Sequence, residues 1–134
     1  MPTIIRLYAS ITALIGVVQV VYNALWIGAE APPFRVHDLM IASELAWMLV
    51  SIDLGVRLRR RRLPISVPLS YVIYSAFTIG YSSWLASTLG IGNVTDEAVP
   101  LWFKLGAIGV GAWFIAGSAG IFVWVRAAEE AAEK

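Results

Sequence analysis

Cysteine is absent from this chain, histidine occurs once, and charged residues are scarce at 14% of 134. The first absence excludes disulfides, thiolate metal sites and thiol redox chemistry. The lone His37 excludes, within one chain, a haem held by two histidines and a zinc site built from several. One histidine with Glu44 and Asp38 is too small a donor set to call a metal site, so neither metal nor cofactor is expected. The shortage of charge sets the chain well below the roughly 25% of an average soluble domain. A net charge of +1 gives no global field for nucleic acid or an acidic substrate. A glycine-rich phosphate loop, a GxSxG elbow and an HExxH helix are all missing.

What is abundant is apolar surface. Hydrophobic residues make up 59% of the chain, more than a soluble domain of this length can bury. About 20 apolar residues are needed for a helix to cross about 30 Å of hydrocarbon. Four stretches qualify, at approximately 3–28, 38–57, 65–89 and 99–126, followed by a short charged tail at 127–134. Pro2 suits a helix start, Pro32 and Pro33 break the chain after the first stretch, and Gly90 and Gly92 close the third. Ala29-Glu30-Ala31 has the look of a signal-peptide cleavage site. The first stretch nevertheless exceeds a signal core of about 7–15 residues, and Gln19 and Asn23 interrupt it, so a retained span is expected. The expected fold is all-α: one integral membrane domain, a four-helix transmembrane up-down bundle with short outer loops at about 29–37 and 90–98. Asn93-Val94-Thr95 in the second of these is a glycosylation triplet, a pattern common by chance.

Orientation follows from lysine and arginine near the segment ends. Arg6, Arg57, Arg59, Arg60, Arg61, Arg62, Arg126 and Lys134 fall on one side of a four-span chain, against Arg35 and Lys104 on the other. The 57–62 link and both termini are therefore expected in the cytoplasm. Topology accounts for this basic run, which could also hold anionic lipid headgroups at about 1 kcal/mol per residue.

Polar residues inside the expected spans carry the functional reading, because a polar group in lipid is costly and turns toward protein. Thr12, Gly16, Gln19 and Asn23 form one helical stripe. His37, Glu44 and Ser51 form a second, and Ser70, Tyr74, Thr78 and Tyr81 a third. The fourth segment has a small-residue ridge, Ala112-xxx-Ala116-xxx-Gly120, of the kind that permits close helix packing. Counting 1.5 Å per residue from each midpoint puts Gln19, Glu44, Tyr81 and Gly109 all about 5–6 Å outward of the midplane. Asn23 and His37 lie above this level, Trp47 and Trp113 below it. A charged carboxylate at such depth costs about 2.5–3.5 kcal/mol on insertion scales, so Glu44 is expected to be protonated unless water or a ligand reaches it. Asp53, four residues before Arg57, is expected to form an ordinary ion pair along the helix. Trp26, Trp84, Trp102 and Trp124 lie near segment ends, where aromatic belts are expected.

The expectation is a polar intramembrane pocket centred on Glu44. It would bind or transport a small molecule or ion with proton coupling, using Gln19, Asn23 and Tyr81 as polar partners, Trp47 and Trp113 as aromatic walls and His37 at the rim. One alternative is an intramembrane acid–base enzyme on a lipid or isoprenoid, with Glu44 as its catalytic acid. Another is a structural or assembly subunit, in a homo-oligomer or a larger membrane complex, joined through the fourth segment's ridge. Membrane lipids are expected partners in every case; nucleic acid is not. Size and span number are similar to those of small multidrug transporters and fluoride channels, but the membrane glutamate sits on the second segment and the fluoride-channel signatures are missing, so no family is assigned.

Overall fold

The apolar stretches become four α-helices. A computed structural model describes residues 2–27, 37–89 and 100–133, and within them every side chain except those of 2, 37–41, 82, 85, 86 and 89. The helices are α1 (Pro2–Ile27), α2 (His37–Arg60), α3 (Ser66–Leu89) and α4 (Leu101–Ala132). No strand occurs among the described residues. The outer loops expected around 29–37 and 90–98, with Asn93, lie outside the described residues apart from the backbone of His37. Two helices, α1 over Thr3–Ile27 and α4, are long and apolar enough to cross a membrane. α2 carries more charge than these two, with Glu44, Asp53, Arg57, Arg59 and Arg60 all within it.

Helix ends differ from expectation at two places, both for local reasons. α4 runs to Ala132, beyond the expected segment end at 126, so most of the expected charged tail is helical. Its last turns are alanine and glutamate, strong helix formers, held by Arg126 to Glu130 at 3.0 Å and by an ion pair between Arg6 of α1 and Glu129. α2 runs on to Arg60, its terminal arginines complementing the negative helix end.

The chain forms two compact units, Met1–Gly28 with Leu101–Lys134, and Ala29–Pro100. In the first, α1 packs on α4. The direction is antiparallel: Arg6 meets Glu129, Gly16 meets Gly111, and Lys104 lies over Trp26. The buried residues on α1 are Ile5, Tyr8, Ala9, Thr12, Gly16, Gln19, Asn23 and Trp26, and all but Tyr8 follow alternate steps of four and three. On α4 they are Lys104, Ala107, Gly111, Phe114 and Ser118, at the same steps, followed by Val125. That 3.5-residue period is the seam of a left-handed helix pair. The expected stripe on α1 therefore faces α4. Close approach depends on glycine at one point. A Cβ on Gly16 would stand 2.6 Å from the Gly111 carbonyl oxygen, and one on Gly111 would stand 2.8 Å from that of Gly16. The expected ridge is not the packing surface here: Ala112, Ala116 and Gly120 are exposed, because α1 occupies the neighbouring face through Gly111.

In the second unit α2 packs on α3. Ser51, Leu54 and Leu58 are buried on α2, and Val67, Pro68, Tyr71, Ser75 and Thr78 on α3. Gly55 lies against Pro68, 3.6 Å from Pro68 Cβ to a Cβ built on the glycine. The connecting turn begins with a Schellman cap on α2. The Leu63 N–H donates to the Leu58 carbonyl at 2.9 Å and the Arg62 N–H to the Arg59 carbonyl at 3.0 Å. Such a cap needs a left-handed residue at its turning point, usually glycine. Arg62 fills it with φ 56°, a conformation that costs a residue with a side chain roughly 1–2 kcal/mol.

Candidate functional site

Glu44 lies on the face of α2 that meets α3. It is seven residues before the buried Ser51 and ten before Leu54, which continues the α2 side of the seam. The side chain is half-buried as a whole. Its Oε2 is fully buried and has no hydrogen-bond partner among the described residues. Counting eleven residues back from Gly55 on α2 and forward from Pro68 on α3 puts Glu44 opposite residue 79, one position from Thr78 and two from Tyr81. Tyr74 lies about one and a half turns from that level along α3. Thr78 Oγ1 donates to the Tyr74 backbone carbonyl at 2.8 Å. Ser75, fully buried on the same stretch of α3, has an Oγ without a hydrogen-bond partner among the described residues.

No known family, curated protein or solved structure matches this chain.

The remaining residues of the expected site divide between the two units. Trp47, half-buried, and Tyr81 belong to the α2/α3 unit with Glu44. The Tyr81 ring stacks on Phe77 at 6.1 Å between centroids and tilts against Trp84 at 5.9 Å. Gln19, Asn23 and Trp113 belong to the α1/α4 unit. Gln19 and Asn23 are buried in its seam, and Asn23 Nδ2 donates to the Gln19 backbone carbonyl at 2.8 Å. Trp113 is 46% exposed. His37 opens α2, but its side chain lies outside the described residues. Asp53 pairs with Arg57 at 3.0 Å in an exposed i,i+4 bridge, as its spacing predicts. No cluster of His, Asp and Glu able to hold a metal occurs among the described residues.

Two positions escaped the sequence reading. Lys104 is buried, with its ammonium 4.6 Å from the Trp26 ring centroid, a cation–π contact inside the α1/α4 seam. Its place three residues before Ala107 and seven before Gly111 carries the period that would have revealed it. As a charge near a segment end, it was counted for topology only. Trp26 is buried in the same seam, while Trp84 and Trp102 are each 58% exposed.

Proposed function

We propose that this chain is a small integral membrane protein that binds or transports a small molecule or ion with proton coupling, with Glu44 as the protonatable centre. The membrane part rests on α1 and α4. Only 33% and 22% of their most apolar stretches are buried, whereas a core helix of a soluble protein would be mostly covered. Leu7, Leu14, Leu25 and Val123 are 56–70% exposed, a surface suited to acyl chains and not to water. In this reading α2 and α3 also span, forming a four-helix transmembrane bundle with termini and the 57–62 turn in the cytoplasm, by the arginine and lysine bias.

The observation that carries the functional part is the orphaned Oε2 of Glu44. A buried acceptor left unpaired costs about 1–3 kcal/mol, so this oxygen calls for a proton, a water or a ligand. A proton on the carboxyl, or a ligand donating to it, relieves that cost, and the two compete for one group. Tyr74, Trp47 and Tyr81 place aromatic rings on the same helix pair, a composition suited to a cationic or apolar ligand.

The test uses purified protein in lipid nanodiscs, with tetraphenylphosphonium as a lipophilic cation and a pH indicator in weak buffer. Wild type should release protons as the cation binds; Glu44→Gln should release none and bind the cation at least tenfold more weakly. Indistinguishable isotherms and proton traces for the two proteins would remove Glu44 from the site.

A second reading has one specific observation behind it. Gly106, Gly109 and Gly120 on α4 face open space, with nothing within 4 Å of a Cβ placed there. A helix face this narrow suits close contact with another helix, so a structural or assembly role in a membrane complex is the alternative. Co-purification of a second chain in mild detergent, lost in Gly109→Leu, is its expected result.

A further inference from the structure

Arg59, Arg60, Arg61 and Arg62 form the most concentrated charge in the chain, and all four are exposed. None of them pairs with a carboxylate among the described residues; the nearby Asp53 is taken by Arg57. Four cations in adjacent positions repel one another, and a bound anion removes that repulsion. Cytoplasmic topology does not account for two features of this turn. First, the charge-bias rule counts lysine and arginine alike, yet every residue here is arginine, whose planar fork takes two phosphate oxygens at once. Second, arginine stands at φ 56°, at the one position of the Schellman cap where glycine serves better. Topology could be met by placing the charge one residue away.

We propose that the α2–α3 turn is a phosphate clamp for an anionic phospholipid headgroup, formed by Arg59, Arg60, Arg61 and Arg62. The turn caps the helix pair at the level where headgroup phosphates lie when α2 and α3 span the bilayer. Leu58 and Val67 are buried just inside it, where the α2/α3 seam begins. The clamp rests on the membrane reading above and not on Glu44.

The experiment uses the full chain in dodecyl maltoside micelles, titrated with phosphatidylglycerol or phosphatidylcholine, and counts retained lipid by native mass spectrometry. Wild type should keep phosphatidylglycerol in preference to phosphatidylcholine. Arg62→Gly should weaken that retention about fivefold, the factor for one basic residue at a membrane surface. Its thermal midpoint without added lipid should be equal to wild type or higher, because glycine relaxes the cap. Arg62→Lys, which keeps charge but loses the fork, should fall between the two. A quadruple change of Arg59, Arg60, Arg61 and Arg62 to Gln should abolish the preference. Equal retention of phosphatidylglycerol by wild type, Arg62→Gly and the quadruple variant overturns the clamp. So does displacement of the lipid by inorganic phosphate at matched ionic strength, which assigns the site to a free anion, or stronger binding of poly-glutamate, which assigns it to an acidic protein. Alkaline carbonate extraction separates the two failures. Release of the chain without detergent overturns the membrane reading, whereas retention in the membrane with no lipid preference overturns the clamp alone.

Discussion

Replacing Gly16 by alanine is the sharpest perturbation of the α1/α4 pair. The new Cβ would sit 2.6 Å from the Gly111 carbonyl oxygen, 3.1 Å from Ile115 Cγ1 and 3.2 Å from Phe114 Cβ, where ordinary contact begins at 3.4 Å. The shortfall against the carbonyl is thus about 0.8 Å, and a backbone oxygen cannot rotate away as a side chain can. The helices must separate by about that distance at their crossing. In lipid, helix pairing draws on dispersion more than on exclusion of water, and a radial gap of about 0.5–1 Å already forfeits a quarter to a half of each contact. Overpacking of this kind costs about 1–3 kcal/mol. Alanine returns about 0.5–1 kcal/mol through helix propensity, so the net loss should be about 0.5–2 kcal/mol. Gly109→Ala is the matched control on α4. Nothing lies within 4 Å of its Cβ, so it should show only the gain of about 0.5–1 kcal/mol. Reversible unfolding in mixed micelles of dodecyl maltoside and dodecyl sulfate measures both. Because Gly16 and Gly111 oppose each other, Gly16→Ala with Gly111→Ala should cost less than the sum of the singles by at least 0.5 kcal/mol. Gly16→Ala as stable as Gly109→Ala, or strict additivity of the pair, would refute the close crossing.

Three further outcomes follow from buried or paired groups. Lys104→Met should destabilise the α1/α4 pair by about 1–2 kcal/mol through loss of the cation–π contact, and Trp26→Phe should cost less than Trp26→Leu in the same unfolding assay. Glu129→Gln should cost no more than about 1 kcal/mol, since both partners of the Arg6 pair are about 40% exposed, and the difference should vanish in high salt. Ser118→Ala should be neutral or stabilising within about 0.5 kcal/mol, because its Oγ is buried without a hydrogen-bond partner.

How much was legible in the sequence depends on the period examined. Four apolar stretches separated by proline and glycine sufficed to place four helices, because backbone groups in such segments have few other ways to be satisfied. Thr12, Gly16, Gln19 and Asn23 could be read as one face, since steps of four, three and four define a stripe whatever lies opposite. What lies opposite was not legible. On α4 the abundance of small residues drew attention to Ala112, Ala116 and Gly120, when the phase of the seam is set by Phe114 and Gly111. Small side chains occur on both faces of that helix, so composition alone could not choose between them. The end of α4 was missed for a different reason. A charged tail resembles a loose one until Glu129 and Glu130 find Arg6 and Arg126, and the first of those partners is 123 residues away. For the candidate site, depth counting could rank residues by level but could not assign neighbours, so Gln19 and Asn23 shared a level with Glu44 in the count while they pack in the α1/α4 unit.

Ser75 gives the proposed site its most discriminating test. Its Oγ and the Oε2 of Glu44 are both buried without a hydrogen-bond partner among the described residues, and both belong to the α2/α3 unit. The register set by Gly55 and Pro68 separates their levels by about one helical turn, or about 6 Å. That span suits a single group hydrogen-bonded to both. As packing alone, the hydroxyl is a liability, because a buried polar atom without a partner opposes folding. Ser75→Ala should therefore leave unfolding unchanged or raise stability by up to about 1 kcal/mol. As part of a ligand site the same change removes a donor and acceptor, and should weaken binding of a primary alkylammonium by about fivefold, the equivalent of one neutral hydrogen bond of about 1 kcal/mol, while tetraphenylphosphonium, which has no hydrogen-bonding atom, should bind as to wild type. The two readings thus predict the same stability and different binding. If Ser75→Ala stabilises the protein while alkylammonium binding stays at the wild-type value, Ser75 is only a packing defect, and any ligand at Glu44 must be held by other groups.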